Sequence, residues 1–157
     1  MKKIIAIAVV AALSMTNVAH AAKKKVAPLF DMTQEKIENV DKTYQCWSAT
    51  KSTYNDGIES KQRDASLYED AELHLKSNDD GTITTTLRSE YYAHRHVMKF
   101  VGKDEFSDLK APFFEYDAET KSKYTGNITG FVRIMAAGDR VIWQKFERDE
   151  IIRIWCK

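Results

Sequence analysis

The sequence predicts an all-β protein with one short N-terminal helix: a small antiparallel β-barrel of about eight strands, closed by a Cys46–Cys156 disulfide. Three observations predict this fold. Short segments of alternating apolar and polar residues recur along the chain, separated by turn-forming residues. The two cysteines lie beside tryptophans in mirrored order, as QCWSAT at 45–50 and RIWCK at 153–157. Long helical periodicity is absent, which excludes helical bundles and βαβ folds. A β-sandwich is the alternative architecture.

The mirrored order of the two motifs is what neighbouring antiparallel strands produce. If Cys46 lies opposite Cys156, the same register places Trp47 opposite Trp155. Opposed Cα atoms in such a ladder are about 4.5–5.5 Å apart, within the reach of a disulfide. Because side chains alternate between faces, the sulfurs share one face and the indoles share the other. A sheet whose first and last strands pair in this way closes on itself.

Residues 1–21 have the features of a secretory signal peptide. Lys2 and Lys3 precede an apolar run from Ile4 to Leu13, and Ala19-His20-Ala21 supplies a small–x–small cleavage site. The apolar run is shorter than the roughly 20 residues that a membrane-spanning helix needs. We therefore expect a mature chain of residues 22–157 that is periplasmic or secreted. An oxidising compartment of that kind favours a disulfide, with two buried free thiols as the alternative.

The charge balance argues against a nucleic-acid partner. The whole chain has 24 Lys and Arg residues against 23 Asp and Glu residues. Without Lys2 and Lys3, the mature chain carries 22 basic residues and a net charge of −1. Nucleic-acid binding needs a clustered basic surface, and the one basic run, Lys23–Lys25, is expected to be a solvated tail. The mature sequence also contains no apolar run long enough for an integral membrane segment.

The elements are expected in the following order. Residues 22–42 form a lead and a short helix, because Asp31 or Thr33 can cap the segment Asp31–Lys42. A single barrel domain then covers residues 43–157. Turn sequences such as Asn55-Asp56-Gly57 separate the strands, and the polar segment Gly102–Pro112 is a longer connection. The predicted strands are Tyr44–Tyr54, Leu67–Lys76, Thr82–Tyr92, His94–Val101, Phe113–Asp117, Tyr124–Met135, Arg140–Phe146 and Ile151–Cys156.

The candidate metal ligands are His94 and His96. Residues i and i+2 of a strand face the same side, so both imidazoles can reach one ion. His74, on another strand, is a possible third ligand. Surface or structural histidines are the alternative interpretation, and no cofactor is predicted.

The candidate binding residues are aromatic. Adjacent residues of a strand cannot both face the core, so one member of Tyr91-Tyr92 and one of Phe113-Phe114 should be exposed. Exposed aromatic side chains beside a loop are typical of binding surfaces. The predicted ligand or partner residues are therefore Tyr92, Phe106, Phe113 and Phe114, with Gly102–Pro112 as a lid or contact segment.

Catalytic signatures are missing from the sequence. It contains no G-x-S-x-G elbow, no P-loop and no dinucleotide fingerprint, and no carboxylate pair is distinguished by its pattern. The sequence therefore predicts a non-enzymatic exported binding protein. It would engage a small apolar ligand inside the barrel or an exported protein partner, as an inhibitor or immunity protein does. The alternatives are a metal-binding periplasmic protein using His94 and His96, and an envelope hydrolase. An interior filled by side chains would favour the surface binder over the ligand carrier.

Overall fold

The computed structural model describes residues 30–55, 58–61, 63–65, 70–106 and 111–157. The expected signal peptide and residues 22–29 of the lead lie outside these ranges. The strands are β1 (Asp41–Asn55), β2 (Ile58–Glu59), β3 (Arg63–Asp64), β4 (Glu72–Ser77), β5 (Ile83–Arg88), β6 (Ala93–Phe106), β7 (Ala111–Lys121), β8 (Ile128–Ala137), β9 (Arg140–Glu147) and β10 (Glu150–Cys156). The described part of the chain has no helix of the length and apolarity needed to cross a bilayer.

Eight of these strands form a closed antiparallel barrel, which confirms the predicted fold. β4 to β10 pair each with the next along the chain, and β1 pairs with β4 on one edge and β10 on the other. The short strands β2 and β3 pair with β1 as additions to this wall. Tyr54 and Asn55 pair with β2 across the expected hairpin, whose residues 56 and 57 lie outside the described ranges.

The barrel wall bends at two corners, on β1 and β6. The first five residues of β1 pair with β4, and the rest of that strand pairs with β10 and the added strands. β6 likewise pairs with β5 up to Met98 and with β7 from Lys99 onwards. A β-bulge lies at each change of partner, between Cys46 and Ser48 and between Phe100 and Gly102. Bulges bend a strand sharply enough for it to leave one sheet and join another.

The disulfide joins Cys46 to Cys156, which lie opposite each other as predicted. Both cysteines are buried. The predicted pairing of Trp47 with Trp155 is wrong, because the bulge takes Trp47 out of the ladder and places Ser48 opposite Trp155. Trp47 is instead about half exposed (47%), with the Lys157 ammonium 5.5 Å from its ring centroid. The alternating sequence pattern does not reveal where a strand turns a corner, so it could not show the extra residue.

Side chains from all eight strands pack together inside the barrel. These inward-facing residues form one buried cluster. Its largest fully buried members include Trp143, Tyr44, Tyr116, Phe114 and Leu73. A second, smaller buried cluster comprises Phe113, Met135, Ala137 and Ile142, on the outward side of β7, β8 and β9.

One end of the barrel is covered by residues 30–40, which we call the plug. Phe30 stacks on Tyr44 with ring centroids 5.7 Å apart, and Ile37 is buried in the interior cluster. The Phe30 amide also donates to the Gly138 carbonyl in the β8–β9 turn (3.3 Å). The plug therefore holds the barrel end at which the β8–β9 turn lies.

The helix expected over Asp31–Lys42 is not formed. Residues 31–40 make turns and bends, and β1 begins at Asp41. Several main-chain amides of the plug find partners in the barrel instead of four residues back along the chain. The Ile37 amide donates to the buried Tyr116 hydroxyl (3.0 Å), and the Val40 amide donates to the Ser77 hydroxyl (3.0 Å). Tertiary hydrogen bonds thus override the local helix pattern.

The expected connection Gly102–Pro112 is mostly strand. β6 continues to Phe106 and β7 begins at Ala111, so that Gly102 pairs with Glu115 and Lys103 with Phe114. Only residues 107–110 between them lie outside the described ranges. The segment was predicted to be a loop because it is polar, but its polar residue Lys103 makes contacts that stabilise the fold. The Lys103 ammonium lies over the Phe114 ring (5.5 Å) and donates to the Gln34 carbonyl of the plug (3.4 Å).

Candidate functional site

Among the described residues, the most exposed tyrosines lie at the barrel end opposite the plug, which we call the open end. It is formed by the β5–β6, β7–β8 and β9–β10 turns together with the end of β1. Tyr91 is 75% exposed, Tyr124 is 93% exposed and Tyr54 is 48% exposed. Tyr91 lies in the β5–β6 turn and Tyr124 in the β7–β8 turn. Tyr54 lies near the β9–β10 turn, because its amide donates to the Asp149 carbonyl there (2.6 Å). The three tyrosines are therefore distributed around the rim of the open end, where Ile58 and Ile128 are also exposed.

Hydrogen bonds from side chains shape two of these turns. The Ser89 hydroxyl accepts from the Tyr91 amide (3.2 Å). In the β7–β8 turn, the Ser122 hydroxyl accepts from the amides of Tyr124 (3.3 Å) and Thr125 (3.2 Å). Serine-to-backbone bonds of this kind hold a turn in one conformation. The tyrosines are thus presented on shaped turns.

Below the rim, His94 and His96 point into the barrel. They lie opposite Leu87 and Thr85, both fully buried inward-facing residues of β5. The two imidazoles share a face, as their spacing predicts, with ring centroids 6.4 Å apart. The His94 ring also lies nearly parallel to the buried Trp143 indole, with centroids 6.1 Å apart. Both histidines remain only half buried.

The surroundings of these histidines favour the neutral imidazole. Burial is the main cause that lowers the pKa of His94, followed by the positive charge of Lys145, while Glu147 opposes the shift. Burial likewise lowers the pKa of His96 first, followed by its neighbours His94 and Lys145. Lys145 in turn pairs with Glu147 (2.6 Å). The interior near the open end is therefore polar, with its charges paired.

The predicted metal ligands do not form a three-ligand cluster. Among the described residues, no group of three or more His, Cys, Asp and Glu side chains is arranged to hold a metal ion. His74 as a third ligand is wrong, because it lies opposite the exposed Thr43 and its Nε2 is 2.8 Å from the Asp41 carboxylate. A site made of His94 and His96 alone stays a prediction.

The predicted aromatic residues are placed differently from one another. In the pair Tyr91-Tyr92 one member is exposed as expected: Tyr91, with Tyr92 partly buried against the interior cluster. In the pair Phe113-Phe114 that expectation is wrong, since both rings are buried. Phe114 belongs to the interior cluster and Phe113 to the second cluster on the opposite face. The Phe106 side chain lies outside the described part of the structure.

Sequence reasoning missed Tyr54 and Tyr124 as candidate binding residues. Tyr124, predicted as the first residue of a strand, lies instead in the β7–β8 turn among polar residues and a glycine, because β8 begins only at Ile128. Tyr54 directly precedes Asn55-Asp56-Gly57. An aromatic residue inside or beside a turn sequence has no core to enter, which is the signal that would have found both.

The carboxylates in the middle of the wall serve an ion pair. Arg133 binds Asp117 in a bidentate manner, with both N–O distances 2.9 Å, and lies 3.1 Å from Glu115. Burial raises the pKa of Glu115, an effect that Arg133 opposes. These two acidic groups are thus neutralised by one guanidinium, as in a structural ion-pair network.

Comparison of the sequence with known protein families finds no matching family, and comparison with curated proteins finds no significant match. Function is therefore inferred from the geometry of the molecule itself.

Proposed function

We propose that this chain is a non-enzymatic exported binding protein that engages a protein partner through its open end. The observation that carries the proposal is the placement of Tyr54, Tyr91 and Tyr124 around one rim, while the other end is covered by the plug. Tyrosine is enriched in protein interfaces because it offers a large contact area at a low cost in conformational entropy. The buried side-chain cluster inside the barrel favours this surface over a small apolar ligand in the interior.

Export is the second part of the proposal. A bridged cysteine pair is typical of the periplasm or the extracellular space, and residues 1–21 have the pattern of a cleaved signal. A disulfide-closed barrel with shaped turns suits an inhibitor or immunity protein, which must bind an exported enzyme without rearranging.

The experiment compares three forms of the exported protein on a solid support: wild type, Tyr91→Ser/Tyr124→Ser, and Trp47→Ser. Trp47 is the matched control, because it is an exposed aromatic residue on the side wall near the disulfide. Envelope extract is passed over each form. We expect wild type and Trp47→Ser to retain the same protein and the double tyrosine variant to lose it.

The retained protein is then purified and titrated against all three forms. Loss of two aromatic contacts from an interface typically weakens binding about tenfold or more, whereas the control should change it less than about twofold. Equal affinity of the double variant and the wild type would refute the open end as the binding surface. Cell fractionation checks export: recovery of an uncleaved chain in the cytoplasm would contradict it.

A metal-binding function is the second candidate, favoured by the placement of His94 and His96 on one inward face. Metal ions bind neutral imidazole, which is the form that burial favours here. Titration of wild type with zinc and copper should show saturable binding that a His94→Ala/His96→Ala variant lacks. Unchanged binding in that variant would end this candidate.

A further inference from the structure

The barrel wall opens along a seam between β6 and β7. Pairing of these two strands begins where Phe106 lies opposite Ala111 and ends where Lys99 lies opposite Asp117. Towards the open end, Ala93–Met98 pair only with β5, and residues 118–121 pair only with β8. All of these residues are described. Alternate main-chain N–H and C=O groups of Ala93–Met98 therefore face the seam, where no strand of the described residues pairs with them.

The other corner of the barrel shows how the protein itself treats such an edge. Beyond Gln45, the edge of β1 that faces β4 is covered by β2 and β3. One of the covering strands carries an acidic residue: Glu59 of β2 forms a bidentate ion pair with Arg153 of β10 and accepts a hydrogen bond from the Ser52 hydroxyl. Within the described residues, β6 has no covering strand of this kind. At this corner the wall thus accepts an added strand whose acidic side chain pairs with a cation of the barrel.

The surface of the seam matches such a segment. A groove of about 500 Å³ follows it, lined on the β6 side by Val97, Lys99 and Val101 and on the far side by Asp117, Ala118, Glu119, Lys121 and Phe131. The two acidic groups on the far side already have cationic partners, Arg133 for Asp117 and Lys121 for Glu119. Val97 and Val101 are 55% and 56% exposed, although valine is usually buried. Arg95 and Lys99 stand two residues before and after Val97, so all three side chains share the outward face of β6. The edge therefore presents one apolar residue between two cations.

We propose that the edge Ala93–Met98 of β6 binds an extended segment of a partner protein by strand addition. The segment has an apolar residue opposite Val97 and acidic residues two positions away on each side, opposite Arg95 and Lys99. Residues directly opposite each other in an added antiparallel strand contact one another, so this pattern pairs apolar with apolar and acid with base. The proposal rests on the proposed function, because the segment belongs to the protein partner.

A second copy of this chain fits poorly in the register centred on Val97. Antiparallel pairing of two β6 edges around a two-fold axis at Val97 would set Arg95 of each copy opposite Lys99 of the other. Directly opposed like charges destabilise a strand pair. The charge pattern of the edge thus selects against its own copy and in favour of an acidic segment.

The test uses the oxidised protein and a synthetic peptide, acetyl-Thr-Glu-Thr-Val-Thr-Glu-Thr-amide, with a matched peptide in which both glutamates are lysine. Binding is measured by calorimetry, and amide hydrogen exchange is followed by NMR. We expect saturable binding of the acidic peptide only, with slower exchange of seam-facing amides in Ala93–Met98. If the lysine peptide binds as well, if neither peptide binds, or if those amides are not protected, the proposal is overturned.

A charge exchange keeps the test independent of folding. Arg95→Glu should weaken binding of the acidic peptide at least about fivefold, and a peptide with lysine at the facing position should recover it. Failure of that recovery would contradict the assigned register, and a dimer of the protein alone in sedimentation would assign the edge to a second copy. The Tyr91→Ser/Tyr124→Ser variant separates the two proposals. If it still captures the envelope protein, the open end is not the surface, whatever the peptide does.

Discussion

Removal of the disulfide is the sharpest test of how this barrel is stabilised. The bridge joins residues separated by 110 positions. In the chain-entropy model, cross-linking a ring of that length removes enough freedom from the unfolded chain to stabilise the fold by about 4.8 kcal/mol. Truncating two buried cysteines to alanine adds roughly 1–2 kcal/mol of lost packing. We therefore expect a Cys46→Ala/Cys156→Ala variant to lose about 5–7 kcal/mol of unfolding free energy, a large share of the 5–15 kcal/mol typical of a domain.

The assay is equilibrium unfolding in urea, followed by the fluorescence of the buried Trp143 and extrapolated to water. The m-value should rise, because an unconstrained unfolded chain exposes more surface. The free energy in water is therefore the quantity to compare, and not the midpoint alone. Wild type measured with a reductant is the matched control. It should approach the variant, and the reductant should leave the variant unchanged.

A loss below about 2 kcal/mol would refute this reasoning. It would mean that the unfolded chain is already compact enough for the ring to constrain little. The β1–β10 ladder, from Cys46 to Thr53, would then close the barrel without help from the sulfur bridge. Far-UV circular dichroism of the variant must first show the wild-type strand content, since the ladder is expected to persist in the native state.

Three further predictions concern single residues. Tyr116→Phe leaves the buried Ile37 amide without an acceptor and should lower the unfolding free energy in urea by about 1–3 kcal/mol. The Tyr44 hydroxyl has no partner among the described residues, so the control Tyr44→Phe should leave the unfolding free energy unchanged. Gly130→Ala places a Cβ 1.9 Å from the Phe146 carbonyl oxygen of β9 and should lower the unfolding free energy by about 3 kcal/mol or more. Gly102→Ala is the control, because a Cβ there meets no atom within 4 Å. Equal effects of the two substitutions would contradict the close approach of β9 to Gly130. Because the pKa of His94 is lowered in the folded protein, the unfolded chain is protonated first as the pH falls below about 6.5, and the unfolding free energy decreases from there down to the folded-state pKa. His94→Gln should flatten this pH dependence in urea unfolding between pH 7 and pH 5. An unchanged slope would disprove the assigned role of His94.

The strand content, the closed barrel and the disulfide could be predicted because each leaves a local or directional trace in the sequence. Alternation of apolar and polar residues marks a strand wherever one face meets the core. The mirrored Cys-Trp and Trp-Cys motifs mark antiparallel neighbours at the two ends of the chain. The placement of His94 and His96 on one face follows from the same two-residue period.

Other features depended on contacts between distant residues. The Asp31–Lys42 segment has a helix pattern, yet its amides bond to Tyr116 and Ser77 of the barrel. One member of the pair Phe113-Phe114 was expected at the surface because a strand of a simple barrel has only one buried face. The second buried cluster on the outside of β7–β9 gives these strands a second buried face, so Phe113 and Phe114 are both buried. No local pattern reveals a second layer of this kind.

By itself, the sequence determined that this chain is an all-β barrel closed by one disulfide, because the side-chain period and the mirrored motifs are properties of the chain alone. Only the tertiary structure decided which end of the barrel is covered, which tyrosines surround the other end, and where β6 is left with an unpaired edge. These depend on the bulges at which β1 and β6 change partners, since a single extra residue there redirects a strand in space. Such a residue leaves the alternating pattern on either side of it almost unchanged.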